Sequence, residues 1–160
     1  MSKVYIHYGH TIFDKEMFVK IKNKSNYTKP YGGLWASAVD AKYGWKQWNE
    51  DNHFKECKHE DSFCFHIKEN AKVLSINAVS DLEKLPRTPD TLGLNTLKLS
   101  MWTCLDFEKL KNEYGYDVIE VNISNDDALY YKLYGWDCDS ILIMNPDVVI
   151  KYDEGECYGI

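Results

Sequence analysis

The first group of residues that could do chemistry lies at the end of a predicted N-terminal strand. His7, Tyr8, Gly9 and His10 follow one another there. A glycine directly after a strand lets a ligand approach the backbone closely, and an imidazole or a phenol can hydrogen-bond a ribose or an amide. The alternative is a plain edge strand with its two imidazoles on the surface.

A second group is aromatic and falls within Lys29–Trp45. Two glycines precede Trp35 and Ser37 on a predicted strand, and Tyr43 and Trp45 follow on a predicted helix. Aromatic rings beside a small hydroxyl are what a flat ring that carries an amide, such as nicotinamide, requires. The alternative is that the tryptophans are core residues that cover the sheet.

A third group is acidic. Asp137 and Asp139 come directly before the most apolar segment of the chain, Ser140–Met144, and Glu120 lies within another predicted strand. A carboxylate at the mouth of a sheet can stabilise a developing cation or deprotonate a nucleophile. The alternative for the two aspartates is a charged turn that ends strand pairing, and for Glu120 a position that faces solvent.

A fourth pattern has the ligand types of a zinc site. Cys57 and His59 form one Cys-x-His pair, and Cys64 and His66 form another. This spacing differs from the usual Cys-x₂₋₄-Cys arrangement, and the second pair alternates with phenylalanines on a predicted strand. We therefore expect no metal site.

Size and charge narrow the class of protein. The 160 residues correspond to one domain, 1–160, and the net charge of −6 favours a protein partner over nucleic acid. No apolar run has the length of a membrane span, and the N-terminus lacks the profile of a signal peptide. We expect a cytoplasmic chain with no membrane partner and with its five cysteines reduced.

The elements that must position these groups alternate along the chain without a regular βαβ order. This favours an α+β fold with a mainly antiparallel or mixed sheet and flanking helices. Neither GxGxxG nor GxxxxGK[ST] occurs, so the sequence does not support a Rossmann or P-loop site. Predicted strands are Lys3–Tyr8, Leu34–Ser37, Ser62–Ile67, Lys72–Asn77, Asp117–Asn122 and Ser140–Met144. Predicted helices are Lys15–Lys22, Ala41–Asp51, a short one after Ser80, Leu105–Tyr114 and Asn125–Leu133, and Pro86–Ser100 is a predicted loop.

Read in order, the first three groups resemble the signature strands of the ADP-ribosyltransferase superfamily, in its diphtheria-toxin and poly(ADP-ribose) polymerase branch. That branch has a His-Gly on the first strand, a Gly-x-aromatic strand followed by a hydroxyl and a tyrosine, and a carboxylate that opens a late apolar strand. The parallels here are His7 or Tyr8 with Gly9, the Gly33-Leu34-Trp35 segment with Ser37 and Tyr43, and Asp139.

The resemblance implies a split, mainly antiparallel sheet whose cleft binds NAD⁺ as a substrate. The nicotinamide would lie between Trp35 and either Tyr43 or Trp45. Its carboxamide would be held by Ser37 and the Gly9 backbone, and residues of the first strand would contact the adenosine-side ribose. Asp139 would stabilise the oxocarbenium-like ribose that remains when nicotinamide leaves.

Two departures from the family pattern leave alternatives open. Tyr8, not His7, directly precedes the glycine, and strand alternation points these two side chains to opposite faces. The acid is Asp139 instead of the usual glutamate, which is longer by one methylene. Asp137 and Glu120 therefore remain alternative acids, and either His7 or Tyr8 could face the cleft.

The resulting hypothesis is an NAD-dependent mono-ADP-ribosyltransferase that modifies an intracellular macromolecule, with a protein favoured as acceptor, of the bacterial or phage effector type. One alternative is a non-catalytic binder of NAD⁺, ADP-ribose or a related nucleotide. Another is an acidic protein-interaction domain whose aromatic residues form a partner surface.

Overall fold

Seven β-strands form the frame of the molecule. The computed structural model describes residues 2–89 and 102–152. The strands are β1 (Tyr5–Tyr8), β2 (Leu34–Ala38), β3 (Ser62–Ile67), β4 (Val73–Ile76), β5 (Val118–Val121), β6 (Ser140–Ile143) and β7 (Val149–Lys151). Six of them lie within or close to the predicted segments, because alternating β-branched and aromatic residues favour a strand with one face buried.

All seven strands belong to one sheet in the order β4-β5-β6-β2-β1-β3-β7. The β4–β5 pair is parallel, whereas every other pair is antiparallel. The α+β class and the mainly antiparallel sheet are therefore confirmed.

Three α-helices accompany the sheet: α1 (Trp45–Asn52), α2 (Phe107–Asn112) and α3 (Asp127–Lys132). Aspartates begin two of them. The carboxylate of Asp106 accepts from the Lys109 amide at the start of α2, and that of Asp126 accepts from the Ala128 amide at the start of α3. Each carboxylate satisfies an amide that has no partner within its helix.

The core has two halves, one on each face of the sheet. Alternate residues of β5 and β6 point into different halves, so both strands are covered on both sides, as their nearly unbroken apolar sequences indicate. One half contains α2, α3 and the wholly buried Trp136, and the other lies under Tyr5 and Phe65.

Two predicted helices contain no α-helix, and the other three are shorter than expected. Lys15–Lys22 contains only a 3₁₀ turn, Lys15–Met17, and the Ser80 segment contains only the 3₁₀ turn Val79–Leu82. The helix predicted from Ala41 begins at Trp45, because Gly44 has an extended conformation (φ −85°, ψ 180°). The strand β7 was not predicted at all, since its three residues are too few to show a period.

Some expectations concern residues that lie partly or wholly outside the described ranges, namely most of the Pro86–Ser100 loop and Cys157. Cys57 and Cys138 are free thiols. Cys64 is disulfide-bonded, so the expectation of reduced cysteines is wrong at that residue. Within residues 2–89 and 102–152, no helix is long and apolar enough to cross a membrane.

Candidate functional site

A cavity of about 310 Å³ opens between β1 and β2. The two strands pair only at Tyr5 with Ala38 and Ile6 with Ser37. Beyond these positions β1 continues to pair with β3 while β2 pairs with β6. The space between them is lined by Ile6, His7, Tyr8, Lys29, Pro30, Trp35, Ala36, Ser37, Trp45, Asp137, Cys138 and Ser140.

Strand register decides which of the predicted residues share a face. Ile6 lies opposite Ser37 in an antiparallel pair, so their side chains are on the same face of the sheet. Because side chains alternate along a strand, Tyr8 and Trp35 are on that face too. His7 belongs to the other face, where its ring packs 5.1 Å from that of Phe63.

The His7 imidazole nevertheless reaches the cavity through the gap between the strands. Its Nδ1 lies 2.7 Å from the Trp35 carbonyl oxygen, and its Nε2 lies 3.1 Å from Nδ1 of His10. A carbonyl only accepts, so Nδ1 of His7 carries the proton and the neutral ring accepts from His10 at Nε2. Burial lowers the pKa of His7, which favours this neutral form.

Two tryptophans form aromatic walls of the cavity. The Trp35 ring is held edge-on against Trp136, with 4.7 Å between ring centroids. Trp45 stacks on Trp48 at 5.2 Å and also touches Phe54. Both rings are therefore fixed from behind by other aromatic residues, which is the arrangement that a preformed stacking site needs.

Lys29 and Asp137 bring two opposite charges into the cavity. The Lys29 ammonium lies 5.1 Å from the Trp35 ring centroid. Burial lowers the pKa of Lys29, and attraction to the Asp137 carboxylate opposes this shift with a smaller effect. A cation in a mostly apolar space, with a carboxylate at the same cavity, can bind a ligand that carries both signs of charge.

The loops that carry these charges are bound to each other. The Trp136 indole N–H donates to the Thr28 carbonyl over 2.9 Å, and the Thr28 hydroxyl donates to the Tyr134 carbonyl. Thr28 and Trp136 are the immediate neighbours of Lys29 and Asp137. Hydrogen bonds between the two loops thus hold the chain next to Lys29 and Asp137.

Asp139, the acid that the family pattern indicates, has a different surrounding. Its side chain is buried, at 4% exposure, and does not line the cavity. The carboxylate accepts from the amides of Tyr43 (3.1 Å) and Ser124 (2.8 Å) and from the Ser124 hydroxyl (2.7 Å). These bonds attach the segment before α1 and the segment after β5 to the start of β6.

Ser37 and Tyr43, expected to bind nicotinamide, also have structural partners. The Ser37 hydroxyl donates to the Asp139 carbonyl over 2.8 Å and accepts from the Trp45 amide over 2.9 Å. The Tyr43 hydroxyl donates to Asp51, and its ring does not line the cavity. Of the two aromatic residues proposed as the second wall, the structure places Trp45 at the cavity.

The two glycines of the predicted site lie outside the cavity lining. The Gly9 amide donates to the Asp61 carbonyl over 2.8 Å, so it is not available for a carboxamide. At Gly33 the backbone has φ +76°, and a Cβ would lie 2.4 Å from the Leu142 side chain. Gly33 is therefore required for packing against β6, whatever the ligand.

Glu120, the remaining alternative acid, belongs to a separate, smaller cavity of about 170 Å³. Its carboxylate forms an ion pair with Lys3 and accepts from the Tyr5 hydroxyl over 3.3 Å. Of the three acids considered, only Asp137 lines the cavity between β1 and β2.

A second cavity of about 600 Å³ adjoins the first on the side of α1. Ile6, Tyr8, Ser37 and Trp45 line both spaces. The cleft thus has two compartments with Tyr8 and Trp45 at their junction, a shape that suits an elongated ligand with two ring systems.

Lys29 is the functional candidate that the sequence interpretation missed. The one signal in the sequence is the position of Lys29 at the start of the aromatic segment, and this position does not show that Lys29 lies beside Trp35. Cys138 also lines the cavity, and burial raises the pKa of its thiol. Among the residues that the structure describes, no group of three or more His, Cys, Asp or Glu side chains could hold a metal ion.

Comparison of the chain with protein-family models, with curated proteins and with solved structures finds no match in any of the three.

Proposed function

We propose that the chain is an NAD⁺-dependent mono-ADP-ribosyltransferase that modifies a protein acceptor. The observation that carries this proposal is the cavity between β1 and β2, which collects Trp35, Trp45, Tyr8, His7 and a carboxylate. Aromatic walls suit the nicotinamide ring, and the adjoining compartment gives space for the adenosine half. The resemblance in the order of the motifs along the chain points to the same activity.

Asp137, in place of Asp139, is the acid of this proposal. Cleavage breaks the bond between the anomeric carbon of the ribose and the nicotinamide nitrogen, and the electron pair leaves with nicotinamide. The positive charge that develops on the ribose is stabilised by the Asp137 carboxylate at the cavity. One well-placed electrostatic contact of this kind contributes roughly 3–4 kcal/mol to transition-state stabilisation.

The decisive experiment measures nicotinamide release from NAD⁺ by the wild type and by Asp137→Asn, in buffer and in cell lysate. We expect turnover that requires lysate, with a rate that falls by about 10²-fold or more in the variant. Asp127→Asn is the matched control, because Asp127 is exposed at the start of α3. Equal turnover in wild type and Asp137→Asn would exclude Asp137 as the acid.

A second function, binding of NAD⁺ without turnover, is favoured by one specific observation. The hydroxyl of Ser37 and the carboxylate of Asp139 are occupied by the protein itself, so two groups that the family pattern uses on the ligand are engaged elsewhere. A binder would gain stability from NAD⁺, by about 2.7 kcal/mol at a concentration of 100 times Kd, and would release no nicotinamide. No change in melting temperature would contradict both functions and favour an interaction domain.

A further inference from the structure

Lys29 is a cation in a space whose walls are otherwise mostly aromatic and aliphatic. Its side chain is half-buried, and its ammonium lies 5.1 Å from the Trp35 ring centroid. We propose that Lys29 makes the cavity selective for a nucleotide over the corresponding nucleoside, by pairing its ammonium with a phosphate of the ligand. This inference rests on the proposed function, since it concerns the same cavity.

The first argument is that the ammonium is poorly compensated where it lies. Burial is the largest influence on its pKa, which it lowers, and the attraction of Asp137 and of the Cys138 thiol is smaller. A partly dehydrated cation with little compensating negative charge nearby binds an anion strongly, because Coulomb attraction is larger in a space of low dielectric constant. A phosphate supplies the charge that the surrounding residues supply only in part.

The second argument comes from a comparison with Lys24. This lysine also lies over an aromatic ring, with its ammonium 3.8 Å from the Tyr27 centroid. The Tyr27 ring is exposed, however, and Lys24 lines none of the cavities described above. The two lysines share a cation–π contact and differ in whether a ligand cavity is present, so Lys24 is a matched control.

The third argument concerns Asp137, which competes with the ligand for Lys29. Both side chains line the same cavity, and their charges attract each other. A phosphate that pairs with Lys29 is repelled by Asp137, so removal of this charge strengthens phosphate binding. Asp137→Asn therefore separates the two proposals: it lowers nicotinamide release by about 10²-fold or more and leaves phosphate recognition intact or improved.

Phosphate binding is also coupled to protonation. The titratable groups at the cavity are His7, Tyr8, Lys29, Asp137 and Cys138. Because the phosphate binds the ammonium form of Lys29, binding takes up protons where that amine is partly deprotonated in the free protein. The affinity for a phosphate-bearing ligand then falls as the pH rises through the lowered pKa of Lys29, whereas the affinity for a nucleoside does not.

The test compares nicotinamide mononucleotide with nicotinamide riboside, which differ only in the phosphate, by titration calorimetry on the full chain. We expect the mononucleotide to bind about tenfold more tightly or better. This ratio should fall to about one in Lys29→Met, persist in Lys29→Arg and be unchanged in Lys24→Met. The melting temperature of each variant shows whether it is folded. If Lys29→Met does not fold, Lys29→Arg still tests whether a positive charge at this position gives the preference for the mononucleotide.

Each other result has a definite meaning. Equal binding of the two probes, a ratio that survives in Lys29→Met, or a ratio that also falls in Lys24→Met overturns the inference. If NAD⁺ raises the melting temperature and neither probe binds, the inference fails and the proposed cavity for NAD⁺ stands. If the mononucleotide binds through Lys29 and NAD⁺ releases no nicotinamide in buffer or lysate, phosphate recognition stands and the transferase activity fails.

Discussion

Asp137 and Asp139 are separated by a single residue and have opposite roles in the architecture. Asp139 is buried at the start of β6, and its carboxylate accepts three hydrogen bonds that join two other segments to the strand. Asp137 is partly exposed and lines the cavity together with Trp35 and Lys29. One carboxylate is part of the frame of the cleft, and the other is available to a ligand.

The same distinction divides the whole set of predicted site residues. The cavity is lined by His7, Tyr8, Trp35 and Trp45. The segments around it are held in place by Gly9, Gly33, Tyr43 and Asp139. Ser37 lines the cavity and also holds these segments. Residues of a motif that resembles a catalytic signature therefore hold the cleft together at some positions and line its cavity at others. Substitutions at the two kinds of position should have separable effects on stability and on ligand affinity.

The largest effect on stability is expected for Asp139→Ala. The change leaves the amides of Tyr43 and Ser124 and the Ser124 hydroxyl without their buried acceptor, which costs about 3 kcal/mol or more in the free energy of unfolding. Urea unfolding measures this quantity. Asp137→Ala is the matched control and should lose less than about 1 kcal/mol, and equal losses for the two would contradict the distinction drawn above.

A smaller loss of about 1–2 kcal/mol is expected for Ser37→Ala. The Ser37 hydroxyl accepts from the first amide of α1 and donates to the Asp139 carbonyl, so its removal weakens both the helix start and the β2–β6 junction. Ser37→Thr, which keeps a hydroxyl, should recover part of the loss in thermal unfolding. A stable Ser37→Ala variant that has lost NAD⁺ affinity would instead place Ser37 among the ligand-binding groups.

The stability of the protein should depend on pH through His7. Burial lowers the pKa of His7 below its usual value of 6.5, so the unfolded chain takes up a proton at a higher pH than the native one. The contribution of His7 to the free energy of unfolding is therefore fully present above pH 6.5. It decreases as the pH falls below this value, by at most about 1.4 kcal/mol per pH unit.

Chemical denaturation of the wild type and of His7→Asn at several pH values measures this contribution. Asparagine can donate to the Trp35 carbonyl as Nδ1 of His7 does, and it does not titrate. We expect a shallower dependence on pH in the variant between pH 5 and the usual histidine pKa of 6.5. Identical slopes would show that His7 does not contribute.

The smallest effect is expected for Tyr43→Phe. The lost hydroxyl bonds the exposed side chain of Asp51, so stability should change by less than about 0.5 kcal/mol. Tyr43→Ala should likewise leave the affinity for NAD⁺ unchanged, because the ring does not line the cavity. A large loss of affinity in Tyr43→Ala would place the nicotinamide against Tyr43, as the family pattern suggests, and not against Trp45.

Much of the fold was predictable because its signals are local. The segments Ser62–Ile67 and Ser140–Met144 alternate or run apolar over enough residues to identify strands, and the structure places strands there. The helix predicted over Lys15–Lys22 is wrong beyond its first turn, because Phe18 has an extended backbone (φ −66°, ψ 120°) and Lys22 forms a β-bridge with Tyr31. Strand β7 is too short for periodicity to detect.

The sequence predicted the types of residue at the candidate site, but only some of the individual residues that line the cavity. The aromatic segment and the acidic pair were both recognised as possible chemistry, and four of the predicted side chains meet at the cavity with Ser37. Sequence spacing could not show that Lys29 would lie beside Trp35, because their contact depends on how the Thr28 loop docks on Trp136. Sequence spacing also could not show which of Asp137 and Asp139 lines the cavity.

The sequence by itself determined the class of fold and the kinds of group that gather at the mouth of the sheet, because alternation of apolar residues and the identity of side chains are local properties. Tertiary structure decided which of these groups face a ligand. The divergence of β1 from β2 creates the cavity, and the buried hydrogen bonds of Asp139 and Ser37 assign those residues to its frame. Such assignments depend on contacts between segments distant in the sequence, such as those of Asp139 with Ser37 and Tyr43, which are 102 and 96 residues away. Hydrogen bonds at these contacts must be satisfied once water is excluded.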